Sequence, residues 1–264
     1  MITINAILVG LLGLMVGSFI NAVVWRIHEH KPIARDRSEC ENCHHKLGLW
    51  DLIPVFSWLF LKGRCRYCHK PISVQNPLVE LLTGGLFMLS YIQLAPVSTL
   101  GRINFVVWLY VLGSLIVLSL YDWRWMLLPD VVMMPALLVA LIPLVAAIAT
   151  GQPHQVWLGP IIAALLAGGS FYLLAAVSSG RWMGGGDIKL VALIGLVLGL
   201  QMTVVAMFLA FTIAAVVSLG LIATKRKTRR DHIAFGPFLA LGCVLAMLYG
   251  HQLLNWYNNL LFRG

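Results

Sequence analysis

Long apolar runs recur along the whole chain, and they set the terms on which it can fold. Residues 4–25, 78–95, 103–121, 131–149, 157–178, 188–201, 203–223 and 234–254 are dominated by aliphatic, aromatic and small side chains. Crossing a hydrocarbon core takes about 20 such residues in a helix, which satisfies its own backbone hydrogen bonds within one segment. Charged residues are only 11% of the 264, against about 25% in an ordinary soluble domain. The fold class that follows is an all-α integral membrane protein, a bundle of about eight transmembrane helices. One stretch tests the count. As a single straight helix, 188–223 would run about 54 Å, too long for one crossing. Two short helices turning near Gly199–Gln201 fit better. The opening residues have no basic n-region and no small-residue cleavage site, so they read as a first transmembrane helix that is retained.

Neither a Pro/Ser-rich linker nor an internal repeat divides the chain, so a single bundle is the expected architecture. Its parts are a first span (1–25), a polar loop (26–77) and a multi-pass core (78–264). Eight spans put the loops 26–77, 122–130, 179–187 and 224–233 on one side. Together with Lys189, at a helix mouth, that side holds 17 of the 19 Lys and Arg, leaving only Arg102 and Arg263 on the other. The positive-inside rule then places these loops in the cytoplasm and both termini outside. Merging 188–223 into one span would export the run "KRKTRR" (225–230). The net charge of +9 is thus read as orientation and contact with anionic lipid, with no nucleic-acid partner.

The polar loop contains Cys40-x-x-Cys43 and Cys65-x-x-Cys68, with 21 residues between the pairs. Two such pairs can bring four thiolates to one tetrahedral Zn²⁺, each pair closing a tight knuckle. Two disulfides are the competing reading, but a cytoplasmic loop lies in a reducing compartment. A four-cysteine site is coordinatively closed, so its expected role is to fold a loop too short to build a large core. His44, His45 and His69 flank the knuckles and are read as surface residues ahead of ligands. The apolar "LIPVFSWLFL" between the pairs is left two options, the bilayer interface or the bundle. Cys243, alone in the last span, reads as a small core residue.

Of ten acids, Glu29, Asp36, Glu39, Glu41 and Asp51 lie in the polar loop and Asp231 follows the basic run. Glu80, Asp122, Asp130 and Asp187 remain, at or within apolar helix mouths, where ionisable groups are costly and are functional candidates. Asp130, after Pro129, has a ready explanation as a helix cap. Glu80 is expected in the first turn of a span, where the helix dipole favours an anion, with a role in a second site left equally open. Asp122 ends a long apolar run, and negative charge is disfavoured at a helix C-terminus. Asp187 follows "GGG", more glycine than a cap requires. Both lie at the same predicted membrane boundary. Two converging carboxylates share one proton, so one can activate water while the other, protonated, polarises a peptide carbonyl. Glycines beside an acid let a substrate backbone approach without a Cβ clash. Asp122 and Asp187 are therefore the candidate catalytic pair, with Gly184 and Gly186 in support.

These residues also carry a resemblance. "GSFINAVVWR" (17–26), the two CxxC pairs, "IPVFSWLFLKGRCRYC", "NPLVELLTG", "YDWRWMLLPD", "MGGGDIKL" and "AFGPFLALG" occur in the order found in the type IV prepilin peptidases. The chain resembles that family nearly end to end. The resemblance implies that Asp122, in D-x₆-PD, and Asp187, in GxGD, are catalytic. It implies prepilin or pseudopilin substrates, cut at the cytoplasmic edge of their hydrophobic helix, in a bacterial inner membrane. It also implies methylation of the new N-terminus from S-adenosyl-L-methionine, although the sequence shows no Gly-rich methyltransferase fingerprint and leaves the donor's binding residues unassigned. Met133 and Tyr121 stand where the family often has Thr and Ile, which bears on packing or substrate fit. The rival classes are a transporter or channel using intramembrane acids, and a non-catalytic assembly scaffold. The first expects acids near the membrane midplane and gives no role to a four-cysteine loop.

Overall fold

The computed structural model describes residues 2–33, 37–181, 183–226, 228 and 233–262, with the backbone alone at Ile2, Leu261 and Phe262. Asp36, Asp231, Arg35, Lys227, Arg229, Arg230 and Arg263, all weighed above for charge, lie outside the described residues. The described helices are α1 (Ile2–His28), α2 (Phe56–Phe60), α3 (Gln75–Leu94), α4 (Thr99–Trp125), α5 (Asp130–Ala140), α6 (Ile142–Ala149), α7 (His154–Val177), α8 (Gly185–Ala223) and α9 (Gly236–Phe262). Among the described residues there is no strand, only isolated bridges pairing Glu39 with Lys46 and Arg64 with Pro71. Among the described residues, seven helical stretches are long and apolar enough to cross a membrane, with α5 and α6 forming one of them. The backbone divides into two compact units, residues 1–96 and 97–264.

In the first unit, α1 and α3 approach closely because glycine lines their contact. A Cβ on Gly13 would lie 2.8 Å from Gly84 Cα, and one on Gly17 would lie 2.6 Å from Glu80 Cα. Small residues of this kind let membrane helices meet backbone to backbone, where dispersion supplies the attraction that water would otherwise drive. Asn21 adds a polar link, donating from Nδ2 to Asn76 O at 3.1 Å. Helix α3 begins at Gln75, so Glu80 lies in its second turn and not the first, as the dipole argument required. Its partner comes from the loop instead. The buried Glu80 accepts the Val55 N–H at 2.6 Å. Val55 is the N-cap of α2 and has φ 65° and ψ −52°, a positive-φ conformation outside the allowed regions that costs a β-branched residue energy.

In the second unit, α8 shows why its 39 residues do not form one rod. Gly199 has φ 71° and ψ 176°, outside the helical region and open essentially to glycine alone. The Thr203 hydroxyl donates to the Gly199 carbonyl at 2.6 Å. The chain turns back here. Gly168 on α7 packs on Ala192, while Phe171, one turn later, lies 6.2 Å from Phe211, centroid to centroid. On a straight helix residues 192 and 211 would be about 28 Å apart. The expected split of 188–223 into two short helices is therefore present, at the first residue of the stretch that was named. The core of this unit is built from fully buried Trp108, Leu112, Leu115, Met133, Leu193 and Leu239. Met133 is a packing residue with no exposed surface, and Tyr121 stacks on Trp125 at 4.5 Å.

Candidate active site and metal centre

The end of α4 and the start of α8 are drawn together by two contacts that sequence spacing did not reveal. Helix α4 carries Asp122 in its last turn and stops at Met126, which takes a left-handed cap (φ 53°) and returns its N–H to Asp122 O at 2.8 Å. Pro129 then serves as the N-cap of α5. Between these points lies Leu128, whose side chain fills the space beside Gly186. A Cβ on Gly186 would sit 2.8 Å from Leu128 Cβ. Two residues past Asp187, Lys189 Nζ donates to both carboxylate oxygens of Asp130, at 2.7 and 2.9 Å. Asp130 makes no side-chain cap of α5. The capping role expected of it is replaced by this ion pair, because Pro129 leaves Asp130 as the first helical residue, turned toward α8.

Asp122 and Asp187 lie within electrostatic reach of each other in this frame. Asp122 is 6% exposed. Asp187 is half-buried, in the first turn of α8, and lies close enough to Asp122 for the two charges to interact. The glycines divide their work. Gly186 is closed off by Leu128, whereas a Cβ on Gly185 would meet nothing and one on Gly184 would meet only Asp187 Oδ2, at 3.9 Å. Room beside the acid is therefore at Gly184 and Gly185, and Gly186 serves helix-to-loop packing. The buried Asp122 carboxylate also has a partner the sequence reading missed. Gly236 N–H, at the first residue of α9, donates to Oδ2 at 2.9 Å. The signal that was available is Gly236 itself, a glycine directly before Pro237 at the mouth of an apolar run.

The four loop cysteines form a separate centre within the first unit. Their Sγ atoms all lie within 4.8 Å of one another, and Cys40 Sγ is 3.8 Å from Cys68 Sγ. Tetrahedral Zn–S bonds of about 2.3 Å place sulfurs about 3.8 Å apart, so the donor set fits a Zn²⁺ ion. The two knuckles are built alike. His44 N bonds Cys40 O at 2.9 Å and His69 N bonds Cys65 O at 3.0 Å, and both histidines are left-handed, with φ 54° and 56°. All four thiols are free of disulfides. His45 stacks against Tyr67 at 3.7 Å and His44 faces Glu39, so neither joins the cluster. Asp51 braces it from outside. Burial works against its charged form, but Arg66 (2.7 Å), the Gly48 N–H and Tyr67 hold its carboxyl below the usual range. The apolar Leu49, Trp50, Phe56, Leu59 and Phe60 remain exposed.

Comparison with known proteins follows the same division. The Bacterial Peptidase A24 N-terminal domain matches residues 11–94, and the Type IV leader peptidase family matches residues 109–219. A prepilin leader peptidase/N-methyltransferase of Bacillus subtilis (strain 168) is 35% identical over 247 residues, covering 93% of this chain and 94% of the relative. Proteins of the same name from Pseudomonas putida and Aeromonas hydrophila are each 31% identical, over 92% and 95% of this chain and 90% and 92% of theirs. No solved structure matches. Both family matches and the near full-length identity place the result beyond single motifs: the chain belongs to the type IV leader peptidase family.

Proposed function

We propose that this protein is a membrane aspartic endopeptidase that cleaves the leader peptide of type IV prepilins and pilin-like precursors, with Asp122 and Asp187 as its catalytic pair. It is bifunctional and methylates the N-terminal amine that cleavage exposes. The observation that carries the peptidase reading is the convergence of two acids from separate helices, one of them 6% exposed, with open space beside the other. A carboxylate that takes a proton from water frees the oxygen to attack the scissile carbonyl carbon. The second acid, protonated, donates to the carbonyl oxygen, giving a tetrahedral gem-diol. Collapse breaks the C–N bond, and the proton first taken from water passes to the leaving amine. Water is consumed, and a carboxyl and an amine are produced. The substrate's scissile peptide must leave helical geometry to be attacked, and Gly184 and Gly185 let an extended backbone approach Asp187.

The remaining parts of the proposal concern setting. Cys40, Cys43, Cys65 and Cys68 hold one structural zinc, which folds the loop and leaves no open position for catalysis. S-adenosyl-L-methionine supplies the methyl group. The protein lies in the bacterial inner membrane with the cysteine loop and both acids on the cytoplasmic side, a reading supported by the distribution of basic residues. A transporter is disfavoured because Asp122 and Asp187 occupy helix ends and not helix centres. The test is to incubate the purified protein with a prepilin, with and without S-adenosyl-L-methionine, and to weigh the products. Loss of the leader is expected in both reactions, and a pilin heavier by one CH₂ only with the donor. Intact prepilin in both reactions would contradict the proposal.

A further inference from the structure

The two acids are held in unequal surroundings. Asp122 ends α4, where that helix's own dipole opposes negative charge, yet its side chain is almost wholly enclosed. What faces it is the opposite kind of helix terminus. The first turn of a helix leaves backbone N–H groups without internal partners. In α9, Pro237 has no N–H, and the N–H of Phe238 returns to Phe235 O at 3.0 Å. The Gly236 N–H is given to Asp122 Oδ2 at 2.9 Å. Only glycine allows that approach: a Cβ at 236 would lie 2.7 Å from the same oxygen and 3.2 Å from Asp122 Cγ. Asp187 lies in the first turn of its own helix, α8, where among the described residues it meets the Gly184 backbone and the charge of Asp122, with no donor from a second helix.

Among the described residues on the helices packed against α4, no charged side chain stands in for this contact. Of the helices packed against α4, α5 carries Asp130, whose charge is taken by Lys189, and α6 and α9 contain no Asp, Glu, Lys or Arg within their bounds. His251 lies about 22 Å along α9 from Gly236. Asp187 and Lys189 come from α8, and Arg124 is on α4 itself. Among the described residues, the backbone donor at the mouth of α9 is therefore the feature that separates the two acids.

Resting on the peptidase reading above, we propose that Gly236 is a positioning residue for hydrolysis: its N–H, backed by the N-terminus of α9, holds Asp122 as the ionised member of the pair. Asp122 is then the base that takes the proton from water, and Asp187 carries the proton delivered to the substrate carbonyl. The donor also fixes which carboxylate oxygen stays engaged, leaving the other to meet the water.

Two variants of the full chain in lipid nanodiscs test this. Replacing Gly236 by glycolic acid turns the amide into an ester, deleting the N–H with almost no change of shape, and Gly236→Ala keeps the N–H but crowds the carboxylate. Prepilin cleavage is measured as kcat and KM across pH, with melting temperature as the control for folding. In both variants kcat should fall about 10- to 100-fold with KM little changed, less than the roughly 10²–10⁴-fold of losing a general base outright, because the Asp122 carboxylate itself remains. In the ester variant the acid limb of the pH–rate profile should move to higher pH, because a carboxylate that loses a donor is protonated more readily. A purely structural role would not move that limb. Parental kcat and an unmoved limb in the ester variant would overturn the proposal, as would losses explained in both variants by unfolding. Failure of the underlying reading looks different. If Asp122→Asn cleaves at the parental rate the catalytic pair itself is wrong, whereas an inactive Asp122→Asn beside a parental ester variant rejects only the role of Gly236.

Discussion

At Gly186 and Asp130 the same segment, 122–130, is fastened to the start of α8 by contacts of very different strength. The Gly186 contact is one of shape. Gly186→Val would force branched carbons into Leu128 Cβ, 2.8 Å from the first added atom. Overpacking of this kind costs about 1–3 kcal/mol, and here it would also displace Asp187 from its neighbour. The expected outcome is a lower melting temperature together with loss of most prepilin cleavage. Gly185→Ala, where a Cβ would meet nothing, serves as the folded control. The Asp130–Lys189 pair is 60% and 36% exposed, and exposed pairs contribute about 0.2–1 kcal/mol. Asp130→Asn should therefore shift the melting temperature only slightly and leave cleavage near the parental rate. A large loss of activity in that variant would mean that Asp130 has a role in the chemistry. Met133 shows the value of knowing the neighbours: its identity raised a question of substrate fit, and full burial assigns it to packing.

At the scale of elements, what was legible depended on whether the signal is local. The cysteine knuckles are local, each determined by a short spacing, and the cluster of four Sγ atoms matches that spacing rule. Purified protein should hold close to one zinc per chain, measured by metal analysis, and a Cys40→Ser/Cys65→Ser double variant should lose it. Normal zinc in the double variant would require another ligand set. The break in α8 was legible from length, since helix rise alone forbids one crossing, and Gly199 marks the site. Glu80 was not legible. Its helix begins earlier than the apolar run 78–95 suggested, and its hydrogen-bond partner, Val55, lies 25 residues away across an irregular loop. Gly236 was hidden for the same reason, 114 residues from the carboxylate it serves. A backbone donor has no side-chain signature, so the glycine before Pro237 marks the place without naming the carboxylate it serves.

For the whole molecule, hydropathy and charge carry most of the information, because a bilayer imposes its demands on every crossing segment at once. Seven long apolar helical stretches among the described residues, one of them folded back at Gly199, answer the expectation of about eight spans. The side on which the loops lie rests on the 17-to-2 division of basic residues. Single cysteines introduced within 96–101 should react with impermeant thiol reagents from outside intact cells, and cysteines within 225–230 should not. The reverse pattern would invert the orientation.

The account turns on Asp122 and Asp187 acting together, and the most direct measurement is the cleavage rate of purified Asp122→Asn and Asp187→Asn variants on a prepilin. Each substitution removes ionisation with little change of shape. Both should lose nearly all cleavage, while zinc content, membrane insertion and melting temperature stay close to parental. Cleavage at the parental rate by either variant would contradict the assignment of the catalytic pair.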